Sequence, residues 1–320
     1  MNTTTVLVAG ATGYLGRHIV KQYMSMGWHV RALVRNADAA RKSGLDVTEL
    51  FEGEATNPLT LCGAMDGVNL VISTLGITRQ REGLSYWDVD YKANANLLTD
   101  ALAAKVERFA YVHVLNAYRM QEVPLVAAKQ AFVDRLQASP IKSTVIAPSG
   151  FFSDIGDFLN MAESGRVFLF GSGNLELNPI DGADLAEVIA SAIWDGRDYV
   201  PVGGPETLTQ KELAEAAFKS LGKPARITHL PDIFRRGALK VLPYVTPSAV
   251  HGPALFFLSA LGMNMVGKAS GSKRVAEHFA DLVRSQQDEA DAAPQTLLKP
   301  QSLTRPRPCA NNGTVPIPFD

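Results

Sequence analysis

Short β-branched runs alternate with stretches of helical spacing through the first half of the chain. Residues 4–10 (TTVLVAG) predict a strand and 14–26 a helix. Further strands are predicted at 29–34 (HVRALV) and, after the Asp66-Gly67 turn, at 69–74 (NLVIST). Residues 87–105 predict one long amphipathic helix, 108–114 (RFAYVHV) a strand, 124–137 a helix and 142–148 (KSTVIAP) another strand. Strands this apolar, alternating with helices, have both faces covered. The pattern therefore predicts an α/β fold, a Rossmann-like doubly wound parallel sheet over residues 1–150.

After Ser149 the pattern loosens. Residues 151–165 predict a helix ending at Gly165, and 166–180 (RVFLFGSGNLELNPI) a strand pair around a Gly-rich turn. Residues 181–194 are helical, with Asp181 or Asp184 as N-terminal caps. Thr209 and Glu212 form a capping-box pattern that opens a helix over 210–221. Residues 151–284 are expected to build a smaller substrate-side lobe integrated with the core. From 285 to 320 the chain turns Pro-rich and loses periodicity. That tail is read as disordered, or as an extended arm that docks on a protein partner through its apolar end, VPIPF.

One apolar run changes the picture. Residues 241–267 hold no formally charged side chain, which is enough length to span a bilayer. Pro243, Pro247 and Pro253 interrupt it and leave 254–265 as the clean helical part. A buried or cleft-covering helix is the expectation, with membrane contact through 254–265 as the alternative.

Composition mainly excludes. The chain has 320 residues, 46% hydrophobic and 20% charged, with a net charge of -1. That balance supplies no basic surface for nucleic acid. Cys62 and Cys309 are the only cysteines, so no disulfide framework or metal cluster is suggested. A reducing compartment, cytoplasmic or inside an organelle, is expected. No secretory signal is read at the start.

The chemistry begins at Gly10-Ala11-Thr12-Gly13-Tyr14-Leu15-Gly16, between a strand and a helix. A tight turn there needs residues without Cβ. A diphosphate reaching the N–H groups of a helix N-terminus needs the same lack of bulk. At the end of the second strand, Val34-Arg35-Asn36 offers no carboxylate for a ribose 2′-hydroxyl. Arg35 can pair with a 2′-phosphate, with Arg31, Arg41 and Lys42 nearby. NADP(H) is therefore preferred and NAD(H) remains the alternative.

Six stretches occur in a telling order: GATGYLG, RALVR, STLG (73–76), VDYKANANLL, VAAK ending at Lys129, and APSGFF (147–152). Together they resemble the atypical, extended branch of the short-chain dehydrogenase/reductase superfamily, in its NmrA-like and isoflavone-reductase-like groups. Later stretches extend the resemblance over roughly residues 5–283. It implies that Thr12, Gly13, Tyr14 and Leu15 contact the diphosphate and that Glu54 and Ala55 lie by the adenine. Thr74, Leu75 and Gly76 would line the inner ribose, and Pro148, Gly150, Phe151 and Phe152 the nicotinamide.

The superfamily's reductases keep a tyrosine four residues before the lysine and a serine on the preceding strand. Here those positions hold Leu125 and His113. The resemblance implies a reductase of a small carbonyl or enone-like compound. Lys129 holds the ribose or acts as acid, and His113 is a further acid because imidazole titrates near neutral pH. His113 is otherwise a core histidine. The other readings are a catalytically silent NAD(P)H-binding regulator and an accessory or assembly subunit of a larger complex. Tyr118 is expected to be packing or rim, and Tyr86, Tyr91 and Asp90 helix-face residues.

Overall fold

The computed structural model describes residues 4–77 and 83–292. Its frame is a sheet of eight parallel strands. The chain enters through β1 (Thr5–Ala9), α1 (Tyr14–Ser25), β2 (His29–Val34), α2 (Ala37–Lys42), β3 (Glu49–Glu52) and β4 (Leu70–Ser73). A π-helical segment, Trp87–Ala93, leads into α3 (Asn94–Ala103). Then follow β5 (Arg108–Val112), α4 (Pro124–Gln137) and β6 (Lys142–Pro148).

The second half holds α5 (Phe152–Glu163), β7 (Val167–Phe170), β8 (Glu176–Leu177), α6 (Gly182–Trp194), β9 (Tyr199–Gly203) and β10 (Leu208–Thr209). It ends with α7 (Gln210–Ser220), β11 (Ile227–Leu230), α8 (Asp232–Val245), α9 (Ser248–Ala260), β12 (Lys268–Ala269) and α10 (Val275–Ala292). The sheet order is β12-β9-β6-β5-β4-β1-β2-β3. Order reverses between β1 and β4, and ligands bind at such a crevice, outside the carboxyl ends of the strands.

The strands are apolar because the sheet is buried on both faces. Val6, Val8 and Ile72 face one core with Ile19 and Ile189, while Leu7, Val71 and Phe109 face the other with Leu97 and Phe132. The alternation is strict in β1, so a one-residue slip would exchange the two cores. A third cluster, of Phe152, Leu159, Leu213, Phe218 and Phe279, fills the smaller lobe. The capping box at Thr209 and Glu212 is made in both directions.

Three expectations need correction. The stretch 87–105 is not one regular helix. Its first part is π-helical, and Asn94 Nδ2 donates to the carbonyls of Val89 and Asp90 at 3.2 and 3.0 Å. Second, β7 and β8 do not pair with each other. Gly171 and Gly173 both take positive φ and turn the chain away, so β7 pairs with β11 and β8 with β10. Third, α10 carries helix past residue 285, where the tail was expected to start. Residues 293–320, including VPIPF and Cys309, lie outside the described residues.

Among the described residues, 4–283 form one compact unit, and 284–292 belong to a separate one. Asp181 caps α6 by accepting from Ala183 N at 2.8 Å. Asp184 instead accepts from Ser272 N and Lys273 N, holding the loop that leads into α10. No helix among the described residues is long and apolar enough to cross a membrane.

Candidate functional site

The carboxyl ends of the central strands open on a cavity of about 1150 Å³. The glycine turn forms its floor. Gly10 has φ +83°, and a Cβ there would stand 3.2 Å from the carbonyl carbon of Thr74. At Gly16 a Cβ would run into the backbone of Gly10 and Ala11. The first turn of α1 has neither a side-chain cap nor an acidic residue. Its N–H groups and the helix dipole therefore favour an anion at this end of the cavity.

The expected cofactor residues line one continuous wall. Gly10, Thr12, Gly13, Tyr14, Leu15, Gly16, Arg35, Glu54, Ala55, Thr74, Leu75, Gly76, Lys129, Pro148, Gly150 and Phe151 all face the cavity. Phe152 does not. It is the first residue of α5 and turns into the core of the smaller lobe, where its ring tilts against His278 at 5.0 Å.

Arg35 is exposed at the mouth, just beyond β2. Arg31 and Arg41 do not join it. Arg31 bonds Glu49 at 2.9 Å and the carbonyls of Ala64 and Asp66, and Arg41 pairs with Asp38. Tyr14, although on the wall, accepts from Gly182 N at 3.0 Å, and burial pushes its phenol up to about 12.

Lys129 projects from α4 to the cavity wall. Its ammonium lies 3.2 Å from Asp90 Oδ1 and donates to Tyr111 Oη and to the Val112 carbonyl, each at 3.3 Å. Asp90 is fully buried, and its Oδ2 accepts from Ile77 N. Burial alone would lower the lysine, but the charge of Asp90 and the hydrogen bonds to Asp90 and Tyr111 outweigh it and hold the ammonium above its ordinary range. Burial lifts the Asp90 carboxyl, against the pull of Lys129 and the Ile77 N–H. Tyr111 is pushed up to about 12 by burial and stays neutral. Lys129 is therefore a fixed cation with its counter-charge inside the protein.

Gly76 makes room for this pair. A Cβ there would stand 2.6 Å from Asp90 Oδ1 and 2.7 Å from Lys129 Nζ. Asp90 is thus more than the helix-face residue that the sequence suggested. Its signal was the lysine itself, since a buried ammonium needs a carboxylate or comparable partner.

His113 also lines the cavity, but not as a group that titrates near neutrality. Gln130 Nε2 donates to Asp134 Oδ1 at 2.8 Å, which leaves Gln130 Oε1 as an acceptor 3.0 Å from His113 Nε2. The imidazole then carries its proton on Nε2, and buried Nδ1 has no hydrogen-bond partner. Burial lowers His113 to about 4, against the Gln130 bond. Leu125 faces the same cavity, with no hydroxyl in its place. Tyr118 is 71% exposed and off the wall.

Much of the remaining lining is apolar, beside Asp154, Asp157, Asn160, Glu176 and Gln210. Phe158 and Met161 of α5, Phe168 and Phe170 of β7, and Phe256 and Phe257 of α9 contribute to it. Residues 254–265 thus lie along the cleft, with Ala260, Leu261, Met263 and Met265 on its lining.

The NAD(P)H-binding family matches residues 10–195. The chain belongs to that family. This NAD(P)H-binding chain is 26% identical over 234 residues to photosystem II assembly factor Ycf39 of Cyanophora paradoxa, covering 72% of this chain and 73% of that one. It is 30% identical over 281 residues to the chloroplastic divinyl chlorophyllide a 8-vinyl-reductase of Oryza sativa subsp. indica, covering 78% and 68%. Against the maize reductase of the same name it is 30% identical over 252 residues, covering 71% of this chain and 62% of the relative.

Solved structures show the fold. An NADPH-dependent quinone oxidoreductase of Escherichia coli complexed with NADPH superposes with TM-score 0.70 at 18% identity, over 87% of this chain and 99% of that one. AtPrR2 with NADP+ and (+)pinoresinol gives 0.68 at 20% identity, over 87% and 98%. These neighbours lie in the atypical short-chain dehydrogenase/reductase group. The uncapped α1 terminus, behind the tight turn that Gly10 and Gly16 allow, fits a dinucleotide in this cavity.

Proposed function

We propose that this chain is an NADPH-dependent reductase of an apolar, conjugated substrate. Carrying this reading is Lys129, fixed by buried Asp90, in the same cavity as the glycine turn and a group of aromatic side chains. Glycine turn residues Thr12 to Leu15 hold the diphosphate, Arg35 the 2′-phosphate, Glu54 and Ala55 the adenine end, and Thr74 to Gly76 the inner ribose. Pro148, Gly150 and Phe151 border the nicotinamide. NADPH, when bound, would supply the hydride, and solvent water in the cavity the accompanying proton.

Lys129 contributes a permanent positive charge beside the ribose and the reacting end of the substrate, where negative charge grows on reduction. Asp90, Tyr111 and the Val112 carbonyl fix its position. His113, with Nδ1 buried and its pKa low, is not suited to proton supply. Beside the small carbonyl or enone-like compound that the sequence suggests, the aromatic side chains of the lining suit a larger conjugated molecule. The rice and maize relatives, which act on a divinyl chlorophyllide, support the same substrate class.

The test is NADPH oxidation by purified protein, followed by nicotinamide absorbance, with quinones, enones, aldehydes and vinyl-bearing tetrapyrroles. Turnover is expected with conjugated apolar compounds, and Lys129→Met should lower it on the order of 100-fold. Tight NADPH binding without consumption across the panel would sink the reductase reading.

A second reading has its own support: a silent NADPH-binding assembly or accessory subunit. Leu125 stands in the tyrosine position and His113 is held neutral, so neither supplies a proton near pH 7. The assembly-factor relative points the same way. Docking through the arm at 285–320 belongs to this reading.

A further inference from the structure

Helix α8 has no buried residue along its length. Ile233, Phe234, Val241, Tyr244 and Val245 are exposed by 73, 61, 52, 89 and 66%. At about 100° per residue these five side chains fall within an arc of about 120°. Val250, at the start of α9, is 58% exposed and adds to the apolar surface. Exposed apolar side chains gathered this densely on one helix face mark a surface that meets something.

Charge says what it meets. Arg236 and Lys240 are exposed and flank the apolar arc on one edge. The single acid of the helix, Asp232, is turned to Arg235, which it holds at 2.6 and 3.1 Å. Arg235 in turn donates to the Leu258 carbonyl at 3.0 Å, so this polar side faces α9. The outward face therefore carries aromatic and aliphatic side chains, two cations and no carboxylate. Its exposed side chains stand out from the helix and are free to insert.

We infer that α8 is an interfacial helix that docks this chain on an anionic lipid bilayer. Apolar side chains enter the boundary between headgroups and acyl chains, Tyr244 sits at headgroup level, and Arg236 and Lys240 pair with lipid phosphates. This differs from a membrane contact at 254–265, which lines the cavity. Its inner side rests on α9, whose Phe256 and Phe257 wall the cavity, so docking brings that apolar wall close to the lipid. The inference does not depend on whether the chain turns over.

Vesicle flotation of the full chain tests it, comparing phosphatidylcholine alone with phosphatidylcholine mixed with phosphatidylglycerol. Binding is expected on the mixed vesicles only, weakening as salt is raised. Arg236→Glu with Lys240→Glu should weaken it tenfold or more, since each cation near an anionic surface is worth about fivefold. Phe234→Ser with Tyr244→Ser should abolish it. NADPH titration of each variant reports that the fold is intact. Absence of binding to the mixed vesicles, or equal binding to both kinds, would overturn the proposal. So would unchanged binding by folded variants, or a native size that halves when α8 is altered, which would assign the face to a second copy of the chain.

Discussion

Lys129 Nζ and Asp90 Oδ1 stand 3.2 Å apart, one from α4 and the other from the π-helical segment before α3. Asp90 is fully buried, and Lys129 is exposed only at the cavity wall. Asp90→Asn should cost about 3–5 kcal/mol in chemical denaturation, because it strands a buried ammonium. Asp90→Asn with Lys129→Met should recover a large part of that loss. If the double variant is as unstable as the sum of the single ones, the two groups do not act as a pair.

His113 sets a pH dependence. Its folded value is lowered from 6.5 to about 4, so between those values the unfolded chain holds a proton that the folded chain does not. Stability therefore falls as pH drops through this window, by about 1.4 kcal/mol per unit at the steepest. Above pH 6.5 the effect vanishes. Thermal denaturation of wild type against His113→Asn should show this slope in the difference between the two proteins. Parallel curves from pH 7 to 4 would mean that His113 is protonated in the folded state.

Arg35 should choose between the cofactors. Arg35→Ser is expected to weaken NADPH by about tenfold to a hundredfold, the worth of charge-assisted bonds to a phosphate, while leaving NADH unchanged. Fluorescence titration with both nucleotides reads this directly. An equal loss for both would move Arg35 out of the 2′-phosphate role.

Gly76→Ala puts a methyl into the Lys129–Asp90 contact. Either the ion pair opens or the Thr74–Gly76 strand end shifts. Loss of about 1–3 kcal/mol in stability and a marked rise in the NADPH dissociation constant are expected together. Unchanged binding in a destabilised variant would separate this strand end from the cofactor.

The doubly wound frame was legible because buried parallel strands write themselves as apolar runs, and KSTVIAP became β6 residue for residue. The glycine turn was legible because its clearances admit no other residue type. Asp90 was hidden because the π turn shifts the hydrogen-bond register of VDYKANAN. That shift depends on Asn94 reaching two carbonyls, which a 3.6-residue period does not announce. His113 could be placed at the site, but its protonation depends on burial and on Gln130, one helix away. Phe152 sat inside a motif yet points to another core, since adjacent residues at a helix start face different ways. The apolar run at 241–267 was correctly read as cleft-covering in its second half, whereas the bare face of α8 could be seen only once its neighbours were placed.

One measurement bears most directly on the reductase assignment. It mixes the NADPH complex with an excess of a conjugated apolar substrate and follows a single turnover by nicotinamide absorbance, in wild type and in Lys129→Met. Wild type should oxidise its bound NADPH, and the variant should do so on the order of 100-fold more slowly while still binding the nucleotide. Bound NADPH that stays reduced in wild type, or equal rates in the two proteins, would contradict it.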